Sequence, residues 1–151
     1  QYFEDQNFSI MIKPKSTLEE INALNRDTLM GHLGMEYLEI REGYVYARMP
    51  VDHRTLQPAG ILHGGSSLAL AETIGGLGSV FLVDSEQFDV RGSHLSANHL
   101  RAGTGNWVYG KATIIHKGRN THLWNIDIFD EQDQLISSCR LTNFIIKRNL
   151  Y

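Results

Sequence analysis

The sequence predicts an α+β fold in which an antiparallel sheet wraps around one long apolar helix. Three observations lead there. Residues 64 to 83 read GGSSLALAETIGGLGSVFLV, with Glu72 the only ionisable residue, so the helix has almost no polar face and needs cover on most sides. After it come a strand expected over 90–100 and three segments, 107–116, 121–130 and 135–147, rich in β-branched and aromatic residues and parted by short polar turns. Before it, residues 35 to 50 alternate Tyr44, Tyr46 and Arg48 against Val45, Ala47 and Met49, the period of a half-buried strand.

The elements follow in order within a single predicted domain, 1–151. Ser16-Thr17 precede Glu19 and Glu20, and Leu18, Ile21, Leu24 and Leu29 recur at helical spacing. This predicts a capped amphipathic helix over 17–31, ended by Gly31 and Gly34. Two short strands turn at Glu42-Gly43, and Pro50 stops the second. Residues 51 to 62, with Pro58 and Gly60, form a loop. The central helix runs 64–83. A polar turn, Asp84 to Asp89, leads into the four strands.

Composition narrows the function. At 151 residues the chain can bury a real core as one domain. A net charge of −3 argues against a general nucleic-acid binder. The single cysteine, Cys139, excludes an intrachain disulfide and a multi-cysteine metal site, which fits a reducing compartment and a cytoplasmic location. No HExxH or other ligand spacing joins the histidines, so no metal is expected. The run 64–83 carries five Gly, three Ser, Thr73 and Glu72, and reads as a core helix rather than a membrane span. The opening stretch QYFEDQNFSIMIKP has no continuous apolar segment of the kind a signal peptide needs.

A lone carboxylate in apolar surroundings costs free energy unless it is paired, hydrogen-bonded or protonated, and such groups are enriched at catalytic sites. Ahead of Glu72 stand Gln57, His63, Gly64 and Gly65. A carboxylate, an amide, an imidazole and the free N–H groups of a helix N-terminus suffice for acyl transfer without a Ser or Cys nucleophile. The bland alternative is a core glutamate held by a buried amide, with a glycine pair that only eases helix entry.

The segment PVDHRTLQPAGILHGGSSLALAETIGG, residues 50 to 76, resembles the hotdog-fold acyl-CoA thioesterases. The nearest group is the bacterial esterases of 1,4-dihydroxy-2-naphthoyl-CoA and of carrier-protein aryl thioesters, related to the phenylacetic-acid-degradation type. SANHLRAG at 96–103 and HKGRNTHLWNIDIFDEQDQLISSCRLT at 116–142 resemble the same group, so the likeness runs from about Gly31 to Ile146. It implies a hotdog fold, a dimer assembled into a tetramer, an active site at the subunit interface, and hydrolysis of an aromatic or medium-chain acyl-CoA. CoA is part of the substrate, and no cofactor is expected.

The resemblance also implies roles. Glu72 matches the catalytic carboxylate, as general base or as nucleophile. Gly64 and Gln57 match positions beside the thioester carbonyl. His63 either orients the thioester and loop or is a structural imidazole bonded to backbone. Gly65 lets the backbone turn. His99, Arg101, Gly118 and Arg119 match segments bordering the nucleotide of CoA, although a solvated turn or strand edge explains the basic residues equally simply. Related enzymes carry Ser or Thr four residues after the glutamate; here that position is Gly76, with Thr73 nearby. The change removes a hydroxyl and enlarges the space for an acyl group. A non-catalytic acyl-CoA binder and a hotdog dehydratase remain as other readings, the second opposed by the HGG-to-Glu pattern.

Overall fold

A computed structural model of the chain describes residues 16–148; the opening stretch discussed above lies outside them. The elements are α1 (Leu18–Ala23), α2 (Leu29–His32), β1 (Glu36–Arg41), β2 (Tyr44–Pro50), α3 (Gly64–Val80), β3 (Phe88–His99), β4 (Trp107–Lys117), β5 (Thr121–Phe129) and β6 (Leu135–Lys147). The six strands form one antiparallel sheet in the order β1-β2-β4-β5-β6-β3. Helix α3 lies across it and touches β2 through β6. This is the α+β arrangement the sequence predicts.

Two helix boundaries differ from expectation. The helix expected over 17–31 is two. Thr17 and Glu20 form the expected capping box, but Asp27 adopts a positive φ of 57° and Thr28 an extended conformation that caps α2. Short polar side chains here bond local backbone instead of continuing the helix. Helix α3 stops at Val80, not 83. The Asp84 carboxylate accepts from the Glu86 amide, and its carbonyl accepts from the Gln87 and Phe88 amides, a turn that feeds straight into β3.

The strand pattern agrees with the sequence. Val45, Ala47 and Met49 are fully buried, while Tyr44, Tyr46 and Arg48 face outward. Outside, Arg48 stacks on Trp107, and Lys111 lies over Tyr46 and Phe129. Inside, Leu70, Ala71 and Ile74 of α3 pack with Val108, Ala112, Trp124, Ile126, Ile128 and Leu141.

Close approach of α3 to the sheet depends on its glycines. A Cβ at Gly78 would lie 2.4 Å from the Trp124 ring, and one at Gly75 would lie 2.6 Å from Leu141. Trp124 is held as well as packed: its Nε1 donates to Ser79 Oγ at 2.8 Å. The Asn143 amide donates to the same oxygen at 2.9 Å, and His122 Nδ1 lies 2.9 Å away. Two N–H donors fill both lone pairs of Ser79, so its own proton goes to His122 Nδ1. His122 is therefore neutral with its proton on Nε2. Burial, then the nearby Lys117 and His116, lowers its pKa below the ordinary 6.5.

Gly78→Ala should destabilise by about 1–3 kcal/mol through overpacking, outweighing the gain of up to about 1 kcal/mol from helix propensity; thermal unfolding would show a lower midpoint. Because the folded-state pKa of His122 is depressed, the unfolded chain takes up that proton first as pH falls. Stability should therefore drop as pH falls below about 6.5, and urea titrations of His122→Gln should show a shallower dependence.

Candidate active site

The loop from Val51 to Leu62 is built to present Gln57 beside the start of α3. The Arg54 guanidinium holds the Asp52 carboxyl down to about 2, and Thr55 Oγ1 donates to the Pro50 carbonyl at 2.7 Å. The Gln57 amide donates to the Ile61 carbonyl and the Gly60 amide to the Gln57 carbonyl, closing a tight turn in which Gly60 takes a φ of 78°. The Leu62 amide then reaches the Gly103 carbonyl, and the His63 amide the Thr55 carbonyl.

At the helix start, His63 is the N-cap. Its Nδ1 accepts from the Gly65 amide at 2.8 Å, a bond to backbone that fixes the ring at the helix start. A Cβ on Gly65 would stand 2.9 Å from that ring, which explains the glycine. The Gly64 N–H has no hydrogen-bond partner among the described residues. It is an unpaired donor at the positive end of a 17-residue helix.

Gly64 opens onto a cleft of about 350 Å³ that also contains Gln57, His99 and Arg101. The His99 ring lies over the helix start, where a Cβ on Gly64 would meet Nε2 at 2.8 Å. Its Nδ1 is 2.7 Å from Ser137 Oγ, a fully buried hydroxyl on β6. Ser137 has no local sequence signal as a site residue, since it lies 38 positions from the histidine it holds.

Glu72 lies elsewhere. Eight residues from Gly64, it sits about 12 Å further along the helix axis. It lines a second cleft of about 400 Å³ with Thr73, Gly76 and Leu77 of α3, residues of α1 and β1, and Phe88 to Arg91 of β3. The expectation of a buried Glu72 is corrected: its side chain is exposed in the single chain. The sheet covers the stripe Ser67, Leu70, Ala71, Ile74 and Gly78, and Glu72 falls on the flank beside it. The carboxylate lies against Gly92, where a Cβ would sit 2.4 Å from Oε1. Gly92 adjoins a register shift in β3, and bulges of this kind re-aim strands near sites. The space around Gly76 is open, with nothing among the described residues within 4 Å of an added Cβ.

The chain therefore brings together Gln57, Gly64, His99 and Arg101, and separately Glu72, Thr73 and Gly76. Gly118 and Arg119 belong to neither group; they form the β4–β5 turn, where the Gly118 amide donates to the Thr121 carbonyl. Among the described residues no cluster of His, Cys, Asp or Glu could hold a metal, and no helix is long and apolar enough to cross a membrane.

Known proteins match this arrangement. The family model described as the thioesterase superfamily matches residues 59–137. The 1,4-dihydroxy-2-naphthoyl-CoA hydrolase of Escherichia coli is 40% identical over 134 residues, covering 89% of this chain and 98% of that protein. A thioesterase structure from Haemophilus influenzae superposes with a TM-score of 0.83 at 45% identity, covering 87% of this chain and 92% of the other. A thioesterase from Staphylococcus aureus, solved as a glutamine-to-alanine mutant, gives 0.77 at 38% identity, covering 78% and 98%. The same protein was also solved with a glutamate changed to alanine, fifteen positions after that glutamine. Gln57 and Glu72 are fifteen positions apart. The chain belongs to the thioesterase superfamily, and with its helix wrapped by an antiparallel sheet it is a hotdog-fold thioester hydrolase.

Proposed function

We propose that the chain hydrolyses an aromatic or medium-chain acyl-CoA to the free acid and CoA, with Glu72 as general base and Gly64 and Gln57 as the oxyanion donors. The observation that carries this reading is the division of the site. An unpaired helix-terminal N–H with Gln57 occupies one cleft, and a carboxylate occupies another about 12 Å along the same helix. One chain cannot bring both to one carbonyl; two chains can.

Strand β3 supports that assembly. It is a twelve-residue edge strand, largely exposed, and such an edge is a template for pairing. Its Phe88 end borders the Glu72 cleft and its His99 end borders the Gly64 cleft. Antiparallel pairing of β3 with its copy sets each Glu72 cleft beside the partner's Gly64 cleft, and a two-fold dimer then contains two equivalent sites. The β4–β5 turn lies at the β3 Phe88 end of the sheet, as the pairing of Thr121 with Phe144 and of Phe144 with Arg91 requires. In the dimer Gly118 and Arg119 approach the partner's His99 and Arg101, a grouping suited to the phosphates of CoA. Two such dimers form the proposed tetramer.

The chemistry then runs in two steps. A water held by Glu72 loses a proton to the carboxylate as its oxygen attacks the thioester carbon. The carbonyl oxygen takes the electron pair and accepts hydrogen bonds from the Gly64 N–H and the Gln57 amide; such a donor is worth roughly 3 kcal/mol. Collapse breaks the carbon–sulfur bond, and the thiolate leaves and regains the proton from Glu72. The open space at Gly76, one turn from Glu72, leaves room for the attacking water.

Glu72→Gln should lower thiol release from acyl-CoAs by at least about 10²-fold with the fold retained; wild-type-like rates would remove Glu72 from the mechanism. Gln57→Ala should lower kcat by about 10²- to 10³-fold with little change in CoA affinity. Co-expressing the two variants should restore about a quarter of wild-type activity, because half of the dimers are mixed and each mixed dimer has one intact site. No recovery in mixed dimers would overturn the shared site.

A further inference from the structure

His99 and Ser137 face each other across the sheet ladder, His99 at the end of β3 and Ser137 on β6. Their side chains meet, with His99 Nδ1 2.7 Å from Ser137 Oγ. The two sit in different surroundings. Ser137 is fully buried, whereas His99 is exposed in the single chain. That difference decides where the proton lies. Ser137 Oγ has no other hydrogen-bond partner among the described residues, and a buried hydroxyl proton without an acceptor is costly. The hydroxyl therefore donates to Nδ1, and the neutral imidazole carries its own proton on Nε2. The opposite tautomer would leave the Ser137 proton unpaired.

The Nε2–H emerges at the start of α3. Of the ring atoms, Nε2 comes nearest to Gly64, 2.8 Å from where a Cβ would stand, against 3.1 Å for Cδ2 and 3.3 Å for Cε1. A Cα–Cβ bond in a helix tilts toward the N-terminus, the direction in which the unpaired Gly64 N–H also points. Covalent geometry puts that Cβ position about 2.5 Å from the Gly64 nitrogen, so Nε2 lies within about 5.3 Å of the same nitrogen. Two donors that bond one oxygen at about 2.9 Å each can stand up to about 5.8 Å apart. Neither N–H has a partner among the described residues, and both residues border the cleft that holds Gln57. The pair fits a single oxygen acceptor, which an unprotonated Nε2 would repel.

We infer that His99 is a further catalytic residue, its Nε2–H donating to the thioester carbonyl oxygen as negative charge develops there, and that Ser137 is the positioning residue that fixes its tautomer and ring. This rests on the reading of the Gly64 cleft as the place of the thioester carbonyl. His99 gives a hydrogen bond and transfers no proton; the proton taken by Glu72 still returns to the thiolate. The ring serves the carbonyl, and the phosphates of CoA fall to Arg101 and Arg119.

The test joins one spectrum to one set of rates. Proton–nitrogen correlation spectra of protein carrying isotope-labelled histidine, taken above the usual histidine range at about pH 8, should show His99 as the Nε2–H tautomer. Its signals are assigned by their loss in His99→Gln. Ser137→Ala should admit the Nδ1–H tautomer and lower kcat by about three- to tenfold, with KM little changed. His99→Ala should lower kcat for benzoyl-CoA and octanoyl-CoA by about 10²-fold. His99→Gln, whose side-chain amide reaches the Nε2 position, should recover most of that loss, and the shorter His99→Asn should not. Circular dichroism checks each fold, and the wild-type spectrum with the His99 variants decides the matter should Ser137→Ala unfold. An Nδ1–H tautomer in wild type, an unchanged tautomer and kcat in folded Ser137→Ala, or a wild-type kcat in His99→Ala while Glu72→Gln is inactive, overturns this inference alone. Absence of thiol release by wild type from both substrates overturns the hydrolytic reading and this role with it.

Discussion

The seat of Trp124 on α3 is the contact on which the rest of the molecule depends. The indole packs where Gly78 has no side chain and donates to Ser79 one residue later. His122 and Asn143 complete the hydrogen-bonding capacity of that hydroxyl. Steric closeness and a buried hydrogen-bond network that fills the Ser79 hydroxyl thus act at one point, and together they hold the helix in a single arrangement. With the C-terminal half of α3 pinned, both the direction and the rotation of the helix are set. Its N-terminus emerges beside His99, and Glu72 emerges on the flank beside Gly92.

That placement explains why Glu72 and Gly64 open onto separate clefts. The stripe from Ser67 to Gly78 serves the sheet, and the flank carrying Glu72, Thr73, Gly76 and Leu77 does not. An isolated soluble helix would carry charges on such a flank. Here it carries one carboxylate and otherwise small or apolar residues, the composition of a surface shared with a ligand or a second chain. The same logic applies at β3, whose outer edge pairs with no other strand among the described residues.

The hydrogen bonds around the two clefts serve different ends. At the helix start, His63 takes the Gly65 amide and leaves the Gly64 amide unpaired, so one donor is retired and its neighbour stays available. In the other cleft, the Tyr37 hydroxyl is committed to Asn25 and the Asn25 amide to the Met35 carbonyl. In both places a local bond fixes the orientation of a polar side chain.

Much of this was legible in the sequence. The apolar run around Glu72, the alternation of Val45, Ala47 and Met49, and the turns between the later strands follow from the period of side chains along helices and strands, and they determine the α+β class and the strand directions. The motif from Gln57 to Glu72 also named both halves of the candidate site. Other features depended on contacts between distant positions. The break at Asp27 and the end of α3 at Val80 reflect competition between side-chain and backbone hydrogen bonds, which periodicity does not register. The exposure of Glu72 depends on which stripe of α3 the sheet covers. The links of Ser137 to His99, Gly92 to Glu72 and Tyr37 to Asn25 join residues 12 to 38 positions apart. Local pattern records what each segment can become, whereas these pairings exist only once the sheet has closed on the helix, so the tertiary structure alone decided them.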